Sequence, residues 1–321
     1  MKTPIALLND DPAPLVHVYR WHWEDVHKKP PVTCYGAPLH DVVPNAFLYR
    51  YCDVVEKHGI KGKFSVVPNP ARRGDVVAGI DGFDRSLTQE WIDTVNIRLS
   101  PWQDFCPEGI THNFAIDLAT GEDIPLGESH WSQTQTRETL TPYLMRALSL
   151  LKQAGIDANG VTSPWVFGQD VLEEYEASIV EAQKEVYDRE FSWYFLHMIF
   201  DKPWQRPWVA VPGRLVAIPA TVRDHWWETI DSPRTDDAFV HLIVDKMLTE
   251  SGEGDIPRIL EAGGTPILLT HWQSLYSNGK ETGLRVLDVL AERINRQLGD
   301  QVEWKTCSEI ALQTAHEPLS L

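Results

Sequence analysis

Short apolar stretches alternate with amphipathic stretches along the chain. The apolar stretches predict strands at Pro4–Leu8, Lys63–Val67, Gly109–Ile116, Gly160–Thr162, Phe191–Met198, Leu215–Ala220, Pro266–Thr270 and Val302–Lys305. Apolar residues spaced three and four apart predict helices at Asn45–His58, Thr88–Leu99, Thr136–Ala154, Gln169–Tyr187, Asp236–Glu250, Ile256–Ala262 and Gly283–Leu298. Seven or eight strands alternating with helices indicate an α/β fold with a parallel sheet. Their number suits a closed barrel, with an open doubly wound sheet as the alternative.

Composition narrows the class of protein. The 321 residues show no repeat and no obvious linker, so we expect a single catalytic domain over residues 1–321. The net charge of −17 disfavours binding to nucleic acid or to anionic lipid. No apolar run approaches the length of a membrane span, and no signal peptide or CxxC pair is evident. These features predict a cytoplasmic protein that binds neither nucleic acid nor a membrane, and they leave homo-oligomerisation open.

Acidic and imidazole side chains recur where predicted strands end, or close to those ends. The residues in question are Asp10, Asp11, His112, Arg223, Asp224, His225 and His271. The carboxyl ends of barrel strands form the rim that carries active sites, so we expect these groups to converge. Two histidines and one carboxylate are a typical set of ligands for a divalent metal, which Asp11, His112 and His130 would supply. Each also has an ordinary alternative: a solvated turn at Asp10-Asp11, a core histidine at 112 and a capping histidine at 130.

His271 and the tryptophans extend this hypothesis. His271 ends the most apolar strand, a position that favours a general acid. The segment 272–279 is predicted to be a polar loop that grips a ligand. Indole rings stack on sugars as readily as they fill cores. The candidates for stacking are Trp21, Trp23, Trp131, Trp165 and Trp272.

At these residues the chain resembles the polysaccharide deacetylase superfamily, carbohydrate esterase family 4. The sequence Leu-Asn-Asp-Asp-Pro at 8–12 is similar to the family's first motif, T-F-D-D-G-P, and Lys-Phe-Ser-Val-Val at 63–67 resembles its A-T-F-F-V strand. Ser-Pro-Trp at 163–165 resembles the third motif, R-x-P-[YW], with Val161 or Thr162 in place of the arginine. Leu-Thr-His at 269–271 resembles the fifth motif, L-x-H. The resemblance spans roughly residues 4 to 310 and implies a distorted (β/α)7 barrel.

The second motif, H-[ST]-x-x-H, is present only in its first half, at Thr111-His112, because position 116 is Ile. The resemblance then implies that an insertion separates the two histidines and that His130 supplies the second, with Asp117 as the competing ligand. Asp10 would be the general base, Asp11 a metal ligand and His271 the general acid. Arg223 or Asp224 would take the orienting role of the missing arginine.

The resemblance therefore implies a metal-dependent hydrolase, with Zn²⁺ as the expected metal, that removes an acyl group from an amino sugar, a polysaccharide or a related amide. Trp165, Trp272, Arg223 and Asp224 are the candidate substrate-binding residues. Two alternatives remain open. One is a metal-independent glycoside hydrolase that uses Asp10 with a second carboxylate such as Asp224. The other is a carbohydrate-binding pseudo-enzyme that has lost its chemistry.

Overall fold

The computed structural model describes residues 2–21 and 32–316, and it is a mixed α/β structure with a central parallel sheet. The principal strands are β1 Thr3–Asp10, β2 Gly62–Val66, β3 Gln103–Pro107, β4 Gly160–Thr162, β5 Ser192–Phe195, β6 Leu215–Ala217, β7 Ile267–His271 and β8 Val302–Trp304. Short antiparallel pairs, together with an edge strand next to β6, lie in the connections. These are Leu15–Val16 with Val42–Val43, Gly74–Asp75 with Gly79–Ile80, Phe114–Ile116 with Asp123–Gly127, and the edge strand Trp208–Val211.

The principal strands form two sheets. One has the order β7-β1-β2-β3, with every neighbouring pair parallel, and β8 pairs with the first residues of β1. The other has the order β4-β5-β6, again parallel. All these parallel strands therefore end at the same side of their sheet, which is where the polar residues were predicted to converge.

Single parallel residue pairs join the two sheets at both of their edges. Phe105 pairs with Ala158 and Glu108 with Thr162 between the ends of β3 and β4. Past the end of β6, Val222 pairs with Leu268 of β7. We call these two joins the seams. They bring β3 next to the chain at β4, and the segment after β6 next to β7.

The helices pack around the sheets. They are α1 Asn45–His58, α2 Arg85–Thr94, α3 Glu128–Ser132, α4 Arg137–Gln153, α5 Leu172–Tyr187, α6 Asp237–Met247, α7 Asp255–Glu261, α8 Trp272–Tyr276, α9 Thr282–Leu298 and α10 Cys307–His316. Shorter helical turns are Val18–Trp21, Pro70–Arg72, Gln169–Val171, His225–Thr229 and Ser277–Gly279, and Val95–Leu99 is a π-helical turn. The first helix ends at Gly59, whose left-handed backbone closes it as the sequence predicted.

Two predicted elements are wrong. The strand predicted at Gly109–Ile116 lies earlier, at Gln103–Pro107, and only Phe114–Ile116 is extended, within a hairpin. The polar loop predicted at 272–279 is helical, and it begins with Trp272 in the core. There the indole packs against Phe47, Tyr51 and Phe64.

Two global features follow from the described residues. Within residues 2–21 and 32–316, no helix is both long enough and apolar enough to cross a membrane. The four cysteines are free thiols, three of them buried and Cys34 exposed.

The core is a large apolar cluster that joins the sheets to the helices, so its side chains hold the strand ends in place.

Candidate active site

A cavity of about 440 Å³ opens at the carboxyl ends of the parallel strands. Its chemistry-bearing residues come from both sheets and from the segments that follow their strands. The lining residues are Asp10, Asp11, Tyr19, Glu108, His112, Ser163, Trp165, Phe195, Met198, Phe200, Arg223, Asp224, His225, Trp227, Leu269, His271 and Gln273. The predicted convergence of Asp10, Asp11, His112, Arg223, Asp224 and His271 is therefore seen in the structure.

Three of these side chains form a compact group, Asp11, Glu108 and His112. One ligand atom from each lies within 4.8 Å of the others, and all three residues are buried. His112 Nε2 is 2.6 Å from Asp11 Oδ1 and 3.6 Å from Glu108 Oε1. Two buried carboxylates and an imidazole that face one point are a donor set suited to a divalent cation.

The two carboxylates of this group are held by hydrogen bonds from the strand ends. Oε2 of Glu108, the residue directly after β3, accepts from the Asp11 backbone N–H at 2.7 Å and from the Ser65 hydroxyl at 2.8 Å. Asp11 itself has a left-handed backbone (φ 66°), which turns the chain sharply after β1. The Gln273 side-chain amide donates to Asp11 Oδ2. Both ligand positions are thus fixed before any metal arrives.

A buried glutamate shapes the loop that carries His112. The carboxylate of Glu128, the first residue of α3, accepts hydrogen bonds from the backbone N–H groups of Ile110 (2.7 Å), Thr111 (3.0 Å) and His112 (2.8 Å). Its Oε1 also accepts from the Tyr143 hydroxyl at 2.7 Å.

This carboxylate explains two backbone features of the loop. His112 adopts a left-handed conformation (φ 68°), which the three backbone bonds to Glu128 stabilise. A Cβ at Gly109 would lie 2.2 Å from Glu128 Oε2, so only glycine fits at that position.

Asp10 is paired with a buried lysine. The Lys63 ammonium, fully buried in β2, forms an ion pair with Asp10 Oδ1 and lies 3.1 Å from the Ser65 hydroxyl. Burial opposes the charge on Lys63, but the Asp10 carboxylate outweighs it and raises the lysine pKa to about 12. The cation that contacts Asp10 in the structure is therefore Lys63, and the orienting role predicted for Arg223 or Asp224 stays a prediction.

His271 and Asp224 form a second pair. His271 Nδ1 is 2.7 Å from Asp224 Oδ2, and Asp224 Oδ1 accepts from the Trp227 backbone N–H at 3.1 Å. Burial opposes protonation of His271, but the Asp224 carboxylate more than offsets it and raises the histidine pKa to about 9. His271 is also the register partner of Asp10 on the neighbouring strand, so the two residues lie at the same level of the sheet.

The proposed ligand group has strongly perturbed pKa values. Burial, together with the nearby Asp10 and Asp11 charges, raises the Glu108 pKa to about 8. Burial opposes the charge on His112, but Asp11 outweighs it and raises the His112 pKa to about 10. For Asp11, burial opposes ionisation while the facing His112 outweighs it, and the pKa falls below its usual range. Such shifts, concentrated in one cavity, are typical of a functional site.

Aromatic side chains also line the cavity, among them Trp165, Phe200 and Trp227. Trp165 is 52% exposed and has a left-handed backbone (φ 56°), which is rare for a bulky residue. Its ring centroid lies 6.4 Å from that of His112. The Arg223 guanidinium lies 5.2 Å from the centroid of Phe200. Trp165 thus presents an exposed indole near His112, and its substrate-binding role stays a prediction.

Other predicted residues lie elsewhere. His130 is exposed on α3, outside the group formed by Asp11, Glu108 and His112, so the predicted ligand set needs correction. The physical reason lies in α3, whose buried residues are Glu128, Ser129 and Ser132, while His130 faces solvent. Asp117, the competing ligand, is also outside the group, and its carboxylate accepts the backbone N–H groups of Ala119 and Thr120 in a turn.

The remaining candidate tryptophans whose side chains the structure describes do not line the cavity either. Trp272 is 1% exposed and fills the core, so its predicted substrate role is corrected, and Gln273 lines the cavity instead. Trp131 packs on Tyr143 at a centroid distance of 4.5 Å and is not among the residues that line the cavity. Trp23 and the side chain of Trp21 lie outside the described residues.

Sequence reasoning missed Glu108, Lys63, Gln273 and Glu128. Glu108 escaped because its strand contains Gln103, Asp104 and Pro107 and does not resemble a buried strand. Lys63 was recognised only as part of a strand. The signal that could have found it is a lysine inside an otherwise apolar stretch, which needs a buried carboxylate as its partner.

Comparisons with known proteins give a fold and no family. No family model matches the chain, and no curated protein matches it. Among solved structures, a GH57 branching enzyme from Thermococcus kodakaraensis, TK1436, has a TM-score of 0.50 at 10% identity, over 99% of this chain and 72% of that one. At this identity the likeness shows a shared fold only.

Two further structures are more distant. A candidate glycoside hydrolase/deacetylase from Parabacteroides distasonis has a TM-score of 0.49 at 9% identity, over 97% of this chain and 70% of that one. A mutant of BA3943, a CE4 family pseudoenzyme, has a TM-score of 0.42 at 9% identity, over 97% of this chain and 67% of that one.

Proposed function

We propose that this protein is a metal-dependent hydrolase that removes an acyl group from the amide or ester of a small molecule or carbohydrate. The observation that carries the proposal is the convergence of one ligand atom each from the buried Asp11, Glu108 and His112, all within 4.8 Å of one another. We also propose that the seven parallel strands β1 to β7 close into a distorted (β/α)7 barrel. The single residue pairs at both seams support this closure.

The residues present fit a divalent cation. Carboxylate oxygen and imidazole nitrogen are ligands that Zn²⁺ accepts, and we expect Zn²⁺ here. The group offers three protein ligands and opens into the cavity, an arrangement typical of catalytic metal sites. When bound, such a cation supplies Lewis acidity toward an acyl carbonyl and toward water.

The neighbouring residues supply the proton transfers. Lys63 and Ser65 both approach Oδ1 of Asp10, which leaves Oδ2 to take a proton from water as general base. Asp224 holds Nδ1 of His271, so Nε2 is the atom that gives a proton to the leaving amine or alkoxide. The raised pKa of His271, about 9, keeps the imidazole protonated at neutral pH, as a general acid requires.

The glycosidase alternative has less support. It needs Asp10 and Asp224 to act together as acid and base. In the structure Lys63 is paired with Asp10 and His271 with Asp224, so each carboxylate already has a cationic or imidazole partner. Measured turnover of an acylated substrate would exclude the pseudo-enzyme alternative.

The test combines metal analysis with turnover. We expect elemental analysis of the purified protein to find a single tightly bound divalent ion per chain. A chelator should abolish the release of acetate from N-acetylated or O-acetylated sugars and small amides, and Zn²⁺ should restore it. Glycan binding without turnover at saturating metal would contradict the hydrolase and favour a pseudo-enzyme. Metal-independent cleavage of a glycosidic bond would favour the glycosidase.

A further inference from the structure

We propose that the substrate carries an anionic group, a carboxylate or a phosphate, and that Arg223 binds it. This inference rests on the proposed function, because it names the class of substrate for the same cavity. Its basis is the charge distribution of the cavity. Among the described residues that line it, Arg223 is the only lysine or arginine.

Arg223 has no structural partner that would explain its charge. It is exposed, and among residues 2–21 and 32–316 its guanidinium forms no ion pair and no hydrogen bond. The adjacent carboxylate, Asp224, is engaged with His271 instead. The contact that the structure does give to the guanidinium is the face of Phe200, at 5.2 Å. That ring holds the guanidinium plane without using its N–H donors.

The donors of Arg223 are therefore available to a ligand in the cavity. A guanidinium presents its N–H groups as a planar fork that matches the oxygens of a carboxylate or a phosphate. Lysine, a point charge, lacks this fork. A neutral sugar hydroxyl would gain much less from the same position, because the bond would involve one charge instead of two.

The charge of the whole chain makes a local cation useful to an anionic substrate. The chain carries a net charge of −17, which repels an anion. The cavity carboxylates of Asp10, Asp11 and Asp224 are each paired with a lysine or a histidine. Arg223 pairs with no described carboxylate, so its charge is left to offset this repulsion. A neutral substrate gains little binding energy from a nearby cation. The presence of Arg223 in the cavity therefore favours an anionic substrate over a neutral one.

The aromatic residues that line the cavity fit the body of the same ligand. Trp165 and Trp227 line the cavity together with Arg223. Such faces bind the apolar face of a sugar or an aromatic ring. The ligand is thus a ring-bearing acylated amine or alcohol with an acidic substituent.

The test compares matched anionic and neutral probes. One pair is N-acetylglucosamine 6-phosphate against N-acetylglucosamine, and the other is N-acetyl-4-aminobenzoate against its methyl ester. Dissociation constants are measured by calorimetry in the Zn²⁺-loaded H271Q variant, where turnover is slow, with and without Arg223→Gln or Arg223→Lys. Arg146→Gln is the control, because it removes an exposed arginine outside the cavity.

We expect the anionic member of at least one pair to bind more tightly than its neutral partner. Arg223→Gln should weaken that binding by about 10- to 100-fold and leave the neutral probe within about twofold. Arg223→Lys should fall between, and Arg146→Gln should have no effect. The probe pair that binds shows whether the ligand carries a sugar ring or an aromatic ring.

Equal binding of anionic and neutral probes, equal losses for both in Arg223→Gln, or no binding of either anionic probe would overturn the inference. Selective binding of the anion without any acyl release by the wild-type protein would sustain it and refute the proposed hydrolase. The two proposals can thus fail separately.

Discussion

The two sides of the cavity that carry its charged groups are built differently. The acidic wall consists of Asp10, Asp11, Glu108 and His112, whose residues are between 2% and 7% exposed. The histidine wall consists of Arg223, Asp224 and His271. The side chain of His271 is 24% exposed, and Arg223 is open to solvent.

The difference separates two tasks. In the acidic wall, backbone N–H groups, Ser65 and Lys63 fix the carboxylates, so the positions of the proposed ligands are set by the fold. In the histidine wall, one hydrogen bond orients His271, and Arg223 rests on a ring. Metal binding should therefore depend on the first wall alone, whereas proton donation and substrate choice should depend on the second.

The largest effect should come from removing two ligands of the acidic wall. The double variant Asp11→Asn/Glu108→Gln keeps the size of both side chains but removes both negative charges that would hold a cation. We expect elemental analysis to find no bound metal and acyl release to be lost. Full metal occupancy in this variant would show that the cation binds elsewhere.

The next largest effect should come from the histidine wall. His271→Gln removes the proton donor, and we expect kcat to fall by about 10²- to 10⁴-fold. Metal content should be unchanged, because His271 is outside the proposed ligand group. If metal is lost together with activity, the division between the two walls is wrong.

Glu128 offers a smaller change in the acidic wall. Glu128→Gln replaces an acceptor of four hydrogen bonds with a group that can also donate, so the loop of His112 loses its fixed geometry. We expect metal affinity to fall by about 10- to 100-fold, as for other residues that orient ligands. Tyr143→Phe removes one of the four bonds and serves as the milder control. An unchanged affinity in Glu128→Gln would leave the glutamate with a role in folding only.

The pKa of His271 tests the histidine wall directly. In the metal-free protein, an NMR titration should place it at about 9, and Asp224→Asn should lower it by about one to three units. A pKa raised above the ordinary 6.5 stabilises the folded state fully below pH 6.5, and this stabilisation is lost as the pH rises through 9. The free energy of unfolding of wild-type protein should therefore fall over that interval, and that of His271→Gln should fall less. A His271 pKa near 6.5 in both proteins would contradict the pairing.

The smallest effect should be at His130. This exposed residue lies outside the ligand group, so His130→Ala should leave metal affinity and kcat unchanged. A loss of metal in this variant would restore the ligand set predicted from the sequence.

The sequence predicted most of the parallel strands and part of the site, and the pattern of success has a physical reason. Asp10, Asp11 and His271 directly follow or end apolar strands, where a polar residue at the end of a buried stretch is conspicuous. The family resemblance assigned roles to the same residues. Both signals depend on neighbours in the chain.

The site residues that the sequence prediction missed depend on contacts between residues that are distant along the chain. Glu108 follows a strand of mixed polarity, and Lys63 is explained only by Asp10, which lies on another strand. The family resemblance implied His130 as a ligand, but the buried carboxylate of α3 is Glu128, whose partners lie 15 to 18 residues away. Burial of a charged group and its compensation are properties of the folded chain, so a linear pattern does not reveal them.

The seams have a consequence for local opening. Glu108 pairs with Thr162 at one seam, and Val222, next to Arg223, pairs with Leu268 at the other. Each wall of the cavity thus adjoins a line along which few backbone bonds join the sheets, and such lines open at lower free energy than sheet interiors. Amide hydrogen exchange should accordingly be faster there than in β1, and a ligand that bridges the walls should slow it by holding the two sheets together.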